Sequence, residues 1–434
     1  MNAREAAFLS LQKYENSGVY SNIELSYAIE RNRLESAEKA LYTALFYGVI
    51  ERKLTLDYYI DSLSERDDID ANVRVILRIG LYQLIYLSKI PESAAVNESV
   101  KLAERFYARK NSGAFINAVL RGFLRRKEIP LPDAKKEPAR HLSVAYSVPE
   151  WICRLWLDSY GKTETRRILD TVNTHPPMTL TVNTLKNTRE ELLSLLAADG
   201  IRAEASNISP ASIRLTGALP LDRLSTFEGR YFVQDEASAL CVAAVGARPG
   251  ETVLDACACP GGKSFGMAFA MKNEGKIYAR DLHKNKLSLI EKGAETLGLT
   301  IIETGVQNAA VPREDMPRFD RILCDVPCSG LGVIAKKPDI RYKSEDDVAR
   351  LPALQAKILE TNAAYLADGG TLVYSTCTLN PAENRAVVEN FLASHPSFAL
   401  CPFTAGALTS DGMLEILPHE HGTDGFFIAK LQKH

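Results

Sequence analysis

In the first 130 residues, apolar side chains recur at steps of three and four: Ala6, Ala7, Phe8 and Leu11; Leu41, Leu45, Phe46 and Val49; Val73, Ile76, Leu77, Leu81, Leu84 and Ile85. That period stacks them on one face of a helix. Proline is absent until Pro91, which suits the start of a new helix with Glu92 in its first turn. The pattern predicts an all-α domain over residues 1–130. Pro130, Pro132 and Pro138, set among mixed charges, mark a linker. A helix is expected to open near Pro149. Behind it come strands at 178–183, 202–205 and 212–215, and a helix at 189–198 that Gly200 stops. Linker and small α+β unit together span 131–235. Aromatic residues at base-stacking positions are not evident there, which favours a packing role over direct base stacking.

From 236 to 434 the two periods alternate regularly. Strands are expected at 252–256, 276–281, 300–303, 321–325, 371–375 and 425–431, and helices at 264–271, 283–297, 348–365 and 382–395. Such alternation predicts a mainly parallel sheet with helices on both faces, an α/β Rossmann-like domain. Ligands bind these sheets outside the carboxyl ends of the strands. Four features fall on that rim: the stretch 255–264, reading DACACPGGKS; Asp281; Asp325 to Cys328; and Thr376 with Cys377. Pro260, Gly261 and Gly262 make a rigid turn with two residues lacking Cβ, so backbone can approach a ligand closely. Asp281, about twenty residues on, stands where a carboxylate accepts from ribose hydroxyls. The spacing fits neither a dinucleotide fingerprint nor a P-loop.

Composition narrows the setting. A chain of 434 residues suggests two or three domains. Its formal charge of −2 means that contact with a polyanion must come from local patches. One candidate runs from 101 to 127, where Lys101, Arg105, Arg109, Lys110, Arg121, Arg125, Arg126 and Lys127 face a single acid, Glu104. Lys101, Arg105 and Arg109 share a helix face by their spacing, a footprint for a phosphate backbone. A second candidate is the basic loop Lys336 to Lys343. The chain shows no signal-peptide pattern, and no apolar run approaches the ~18 residues of a membrane span. A soluble cytoplasmic monomer is expected, without membrane contact. Eight cysteines in such a chain argue for thiols rather than disulfides, and without Cys-x-x-Cys pairs no metal site is expected.

Two cysteines carry the sharpest chemical signal. Cys328 lies in Cys324-Asp-Val-Pro-Cys-Ser-Gly330 and Cys377 in Tyr374-Ser-Thr-Cys-Thr378, both at predicted strand ends. One thiol is often only a small core residue, and Cys153, Cys241, Cys324 and Cys401 read that way. Two on one rim suit covalent catalysis, because a thiolate is a strong nucleophile near neutral pH. Methylation of a pyrimidine at C5 needs such a thiol. That carbon becomes nucleophilic enough to take a methyl group only after a thiolate has added to C6. A carboxyl near N3 stabilises the charge moved into the ring, and Asp325 is the candidate. Spacing does not choose between the two thiols.

These motifs, with Phe232-Val-Gln-Asp-Glu-Ala-Ser238 and the terminal Gly422-Thr-Asp-Gly-Phe-Phe-Ile-Ala-Lys430, resemble the RNA (cytosine-5) methyltransferase family. Phe115 to Arg126 and Glu92 to Lys101 resemble parts of NusB-like RNA-binding domains. The combination, over nearly the whole chain, is similar to the bacterial small-subunit rRNA enzymes of that family. The resemblance implies an all-α NusB-like domain at 1–130, a small α+β unit within 131–235, and a methyltransferase domain at 236–434. It implies S-adenosylmethionine held by Cys257, Ala258, Cys259, Pro260, Gly261, Gly262, Lys263, Asp281 and Asp325. It assigns the nucleophile to Cys377 and product release to Cys328. The substrate implied is 16S rRNA, with cytosine 967 the usual target. At position 259 the family usually has alanine, so Cys259 is read as a tolerated variation. Where the family has an acid after the third strand, near the adenine, this chain has Asn308, whose amide can still bond an adenine edge. A DNA cytosine-5 methyltransferase, disfavoured by the helical front, and a non-catalytic RNA-binding assembly factor are the alternatives.

Overall fold

The computed structural model describes residues 1–17, 21–64, 68–107, 111–126, 128–217 and 221–434, to which every structural statement below refers. It divides into two compact units, Met1–Asn173 with Lys337–Tyr342, and Thr174–Lys336 with Lys343–His434.

The first unit is all-α. Its described helices are α1 (Ala3–Ser17), α2 (Ser21–Asn32), α3 (Ser36–Leu63), α4 (Ala71–Tyr86), α5 (Glu92–Phe106), α6 (Ser112–Arg126), α7 (Pro138–Tyr146) and α8 (Glu150–Thr171). The apolar faces read from the sequence form its core: Phe8, Leu11, Leu45, Phe46, Val49, Ile76 and Leu77 are all buried. Asp70 caps α4 by accepting from the Asn72 amide at 2.9 Å. Helix α7 was not expected; Pro138, read as part of the linker, is its first-turn proline. Gly161, at φ 73°, breaks α8 into two halves.

The basic run of 101–127 is partly spent inside this unit. Lys101 pairs with Glu98 at 2.7 Å and Arg105 with Glu5, while Arg121 bonds Asn117 at 2.9 Å. Arg109, Lys110 and Lys127 lie outside the described residues.

The loop 336–343 differs more sharply from a phosphate clamp. Lys337–Tyr342 belongs to the helical unit, and Arg341 is fully buried in it. Its guanidinium donates to the carbonyls of Glu51 (2.7 Å), Ser147 (3.0 Å) and Val172 (3.2 Å) and to Asn173 Oδ1 (3.1 Å). Burial pushes this guanidinium below its ordinary pKa. The donors go to carbonyl and amide oxygens, which are acceptors with no full charge.

The second unit carries two sheets. The small one, β1 (Thr179–Val182), β2 (Ala203–Ala205), β3 (Ser212–Leu215) and β4 (Tyr231–Val233), is antiparallel in the order β2-β3-β1-β4. Helix α9 (Arg189–Ala198) packs on it and opens with a Thr188–Glu191 capping box. After the short α10 (Leu221–Leu224), α11 (Glu236–Val245) leads to the large sheet. Its elements are β5 (Thr252–Asp255), α12 (Gly262–Ala270), β6 (Lys276–Asp281), α13 (Lys284–Leu297), β7 (Ile302–Val306), β8 (Phe319–Asp325), α14 (Glu345–Ala349), α15 (Leu351–Ala363), β9 (Leu366–Thr376), α16 (Arg385–Ser394) and β10 (Phe398–Leu400). A β11–β12 hairpin (Phe403–Ala405, Leu408–Ser410), β13 (Met413–Ile416), α17 (Pro418–His421) and β14 (Phe426–Lys433) end the chain. The order is β10-β14-β9-β8-β5-β6-β7, with β13 also paired to β14. Strands β5 to β9 run parallel; β10, β13 and β14 are antiparallel.

The predicted alternation therefore holds, with three differences. The single helix expected at 348–365 is two, because Pro352 starts a new helix at Leu351. The strand expected at 300–303 lies at Ile302–Val306, where it pairs with β6. Strands β10 to β13 and helices α11 and α17 were not anticipated; three of those strands are only three residues long and α17 only four, too short for a periodic signal.

Arg341→Met should destabilise the protein by about 3 kcal/mol or more, because it strands buried carbonyl acceptors. Urea unfolding followed by circular dichroism measures it. A loss below about 1 kcal/mol would mean that those carbonyls find other donors.

Candidate active site

Strand order reverses between β5 and β8, so the crevice of this sheet opens at their carboxyl ends. Asp255, Asp281 and Asp325 end β5, β6 and β8, and Cys377 follows β9. The sheet thus carries the four rim features expected from sequence on one edge.

The 255–264 stretch is a tight βα turn. The amide of Ala258 donates to the Arg280 carbonyl at 2.8 Å, and Gly261 to the Ala258 carbonyl at 2.7 Å. Gly261 caps α12 at φ 112°, where a Cβ would sit 2.5 Å from the Phe265 ring. A side chain there would be strained and would have to displace that ring. Burial first, then neighbouring acids, pushes the Cys259 pKa up to about 12, and Cys257 is raised as well. The Cys259 amide points to Asp281 Oδ2 at 3.3 Å, and Asp281 Oδ1 accepts from the His283 amide at 2.9 Å. Asn308, exposed two residues past β7, folds its side chain back onto the Ala310 amide at 3.0 Å.

Two buried oxygens near this crevice have no protein partner, Asp255 Oδ1 and Gln307 Oε1. Gln307 follows β7 and bonds the Asp281 carbonyl through its amide. A backbone turn without Cβ, carboxylates at successive strand ends and orphaned acceptors fit a polar nucleoside-type ligand such as S-adenosylmethionine. Asp255 also accepts from Ser264 Oγ at 2.7 Å, and burial pushes its pKa up to about 7.

Asp325 is held by both oxygens. Ser375 Oγ donates to Oδ1 at 2.8 Å and Lys263 Nζ to Oδ2 at 2.6 Å. Burial lowers the Lys263 pKa, but the Asp325 carboxylate outweighs it and the net shift is upward, so the ammonium is retained.

The two rim thiols meet: Cys328 Sγ lies 3.3 Å from Cys377 Sγ. The Cys328 pKa stands well above the ordinary thiol value, first because of the contact with Cys377 and then because of burial. Beneath them lies a group that the sequence reading missed. Glu383 is fully buried and accepts from the Ser329 amide (2.8 Å), Ser329 Oγ, Gln355 Nε2 (2.9 Å) and Asn380 Nδ2 (3.0 Å). Gln355 also donates to the Pro327 carbonyl at 2.9 Å, and Ser329 Oγ meets Thr378 Oγ1 at 2.6 Å. From outside, Lys343 Nζ closes on the carbonyls of Cys328 (3.2 Å) and Ser329 (2.9 Å). This network ties the loop after β8 to the segment after β9. A polar Gln355 inside the apolar pattern of α15 was the available sequence signal.

Lys336, at the start of the basic loop, is committed too. It pairs with Asp424 at 3.0 Å and with Asp235.

A doubly wound sheet with this turn, these carboxylates and a thiol pair defines an S-adenosylmethionine-dependent methyltransferase. The description "16S rRNA methyltransferase RsmB/F" matches residues 242–432, "NusB family" residues 1–125, and a ferredoxin-like domain of RsmF/B-type methyltransferases residues 148–222. A Bacillus subtilis (strain 168) protein named probable ribosomal RNA small subunit methyltransferase B is 40% identical, covering 100% of this chain and 99% of its own. A Synechocystis protein of the same name is 37% identical, with 100% of both chains covered. Among solved structures, the crystal structure of PH0851 aligns at a TM-score of 0.81 and 27% identity, over 100% of this chain and 99% of that one. The chain belongs to the RsmB/F family of 16S rRNA methyltransferases.

Glu383→Ala should lower single-turnover methyl transfer about a hundredfold, the scale of a misplaced catalytic group. Calorimetry should find cofactor affinity within threefold of wild type, as an estimate of about 0.6 kcal/mol or less. Equal losses in both would place Glu383 in general stability instead.

The raised Asp255 pKa has a sign that can be checked. Between the ordinary value of 3.8 and about 7 the folded state binds the proton more tightly, so this group's contribution to stability is lost as pH rises through that window. Asp255→Asn removes the titration. Relative to wild type, its stability should improve by up to ~4 kcal/mol between pH 4 and pH 7.5 in denaturant titrations. A difference that does not change with pH would contradict the shift.

Proposed function

We propose that the protein methylates C5 of a cytosine in 16S rRNA, with cytosine 967 as the target, through a covalent adduct with Cys377. The observation that carries this reading is the pair of thiols 3.3 Å apart beside a carboxylate held by Ser375 and Lys263. In this reading residues 1–130 form the NusB-like RNA-binding front, 131–235 the linker and small α+β unit, and 236–434 the methyl-transferring domain. Cys257 to Lys263, Asp281, Asn308 and Asp325 hold the cofactor, and rRNA is the partner.

The thiol pair explains a division of labour. Two thiolates in contact repel, so only one ionises at a time. In this reading the thiolate is the one on Cys377, and the contact with Cys377 raises the Cys328 pKa, in keeping with a proton retained there. Cys377 adds to C6 of the base, opening the C5–C6 double bond. The electron pair moves toward N3, where the positive charge of the Lys263 ammonium, positioned by Asp325, offsets it. S-adenosylmethionine, when bound, supplies the electrophilic methyl group. Once the Cys377 charge is consumed in the bond to C6, Cys328 can release its proton to solvent. Its thiolate then takes the C5 proton, the double bond re-forms, and Cys377 leaves as thiolate. Lys343 and Glu383 hold the Cys328 loop for that step.

Cys377→Ala should abolish methyl transfer without a protein–RNA adduct on denaturing gels. Cys328→Ala should accumulate the adduct, because release fails. The opposite pattern would reverse the roles. Bisulfite sequencing of rRNA from a deletion strain should show loss of methylation at the target cytosine alone.

A further inference from the structure

A cleft of about 590 Å³ lies in the helical unit, between the linker segment, α7 and α8. Its floor is apolar and includes Leu131, Leu142 and Leu157, with Leu131 36% exposed. Its rim is basic: Lys162, Arg166 and Arg167 all line it and all are exposed. Glu164 pairs with Arg167 at 2.9 Å, and Asp170, which also lines the cleft, accepts from Tyr146 Oη at 2.6 Å and keeps its charge. Lys162 and Arg166 therefore leave the rim with one net positive charge. The break at Gly161 restarts α8 at Lys162. The first amide N–H groups of a helix lack intrahelical partners and favour an anion. Lys162 and Thr163, at that restart, line the cleft.

We propose that this cleft binds one unpaired nucleotide of the substrate RNA, its base on the apolar floor and Tyr146, its phosphate on Lys162 and Arg166. This rests on the reading of the protein as an rRNA methyltransferase and extends it to a second RNA contact. The volume lies in the range of sites for small ligands, about 300–1,000 Å³. A cationic rim is complementary to phosphate, and an apolar floor with an aromatic edge is what an unstacked base requires. The α7–α8 segment thereby becomes an RNA-gripping element, although its prolines read as a mere linker.

The test uses the full-length protein and 16S rRNA transcribed with 4-thiouridine. Photocrosslinks should map by mass spectrometry to peptides from 138–146 or 157–167. Lys162→Ala/Arg166→Ala should weaken binding about tenfold and make the salt dependence shallower by about two units of slope. Leu157→Trp, which fills the floor, should weaken binding without changing that slope, with thermal midpoints of both variants near wild type. Crosslinks confined to other segments, with both variants binding like wild type, would overturn the proposal while the methyltransferase reading stands. Wild-type protein that neither binds nor methylates this RNA would overturn both.

Discussion

The site depends on one buried carboxylate. Glu383 sits in the turn after β9, and its acceptors draw the backbone and side chain of Ser329, the amide of Gln355 and that of Asn380 to a single point. Burying a carboxylate is costly unless its oxygens find donors. Its donors therefore have little freedom to move elsewhere. The loop carrying Cys328 and the strand end carrying Cys377 are fixed together as a result, and the thiol contact follows. Lys343 seals the same loop from the other side, so the geometry is held from within and without.

Burial raises the thiol pKa in the turn and on the rim alike; what sets the rim pair apart is its sulfur–sulfur contact. Cys257 and Cys259 stand among carboxylates and burial, which push their pKa values up. Cys328 and Cys377 stand against each other, where ionisation of one suppresses ionisation of the other. The turn 255–264 is built for close backbone approach, and its glycine at φ 112° is a conformational requirement rather than a chemical group. In the proposed mechanism, binding and covalent chemistry fall to neighbouring strand ends of one sheet.

Much of this was legible from the pattern of residues. Long periodic segments foretold the helical unit and the parallel strands, and α9 and β3 fall at the expected residues. Strand-end position alone brought Asp281, Asp325, Cys328 and Cys377 to one rim. What escaped was non-local or short. Glu383, Gln355 and Lys343 converge from three separate segments, and no spacing rule links them. The basic loop misled because charge was read without its partners: Lys336 meets acids from far along the chain, and Arg341 is buried among carbonyls. Proline density in 130–138 pointed to a linker, but Pro138 opens α7.

The central claim is that Cys377 becomes covalently attached to the base while Cys328 serves release. The most direct measurement uses substrate RNA carrying 5-fluorocytidine, whose C5 substituent cannot be removed as a proton, so that the adduct persists. After nuclease and protease digestion, mass spectrometry should find the nucleotide on the peptide containing Cys377. A nucleotide on the Cys328 peptide, or turnover of this RNA with no adduct on either thiol, would contradict the account.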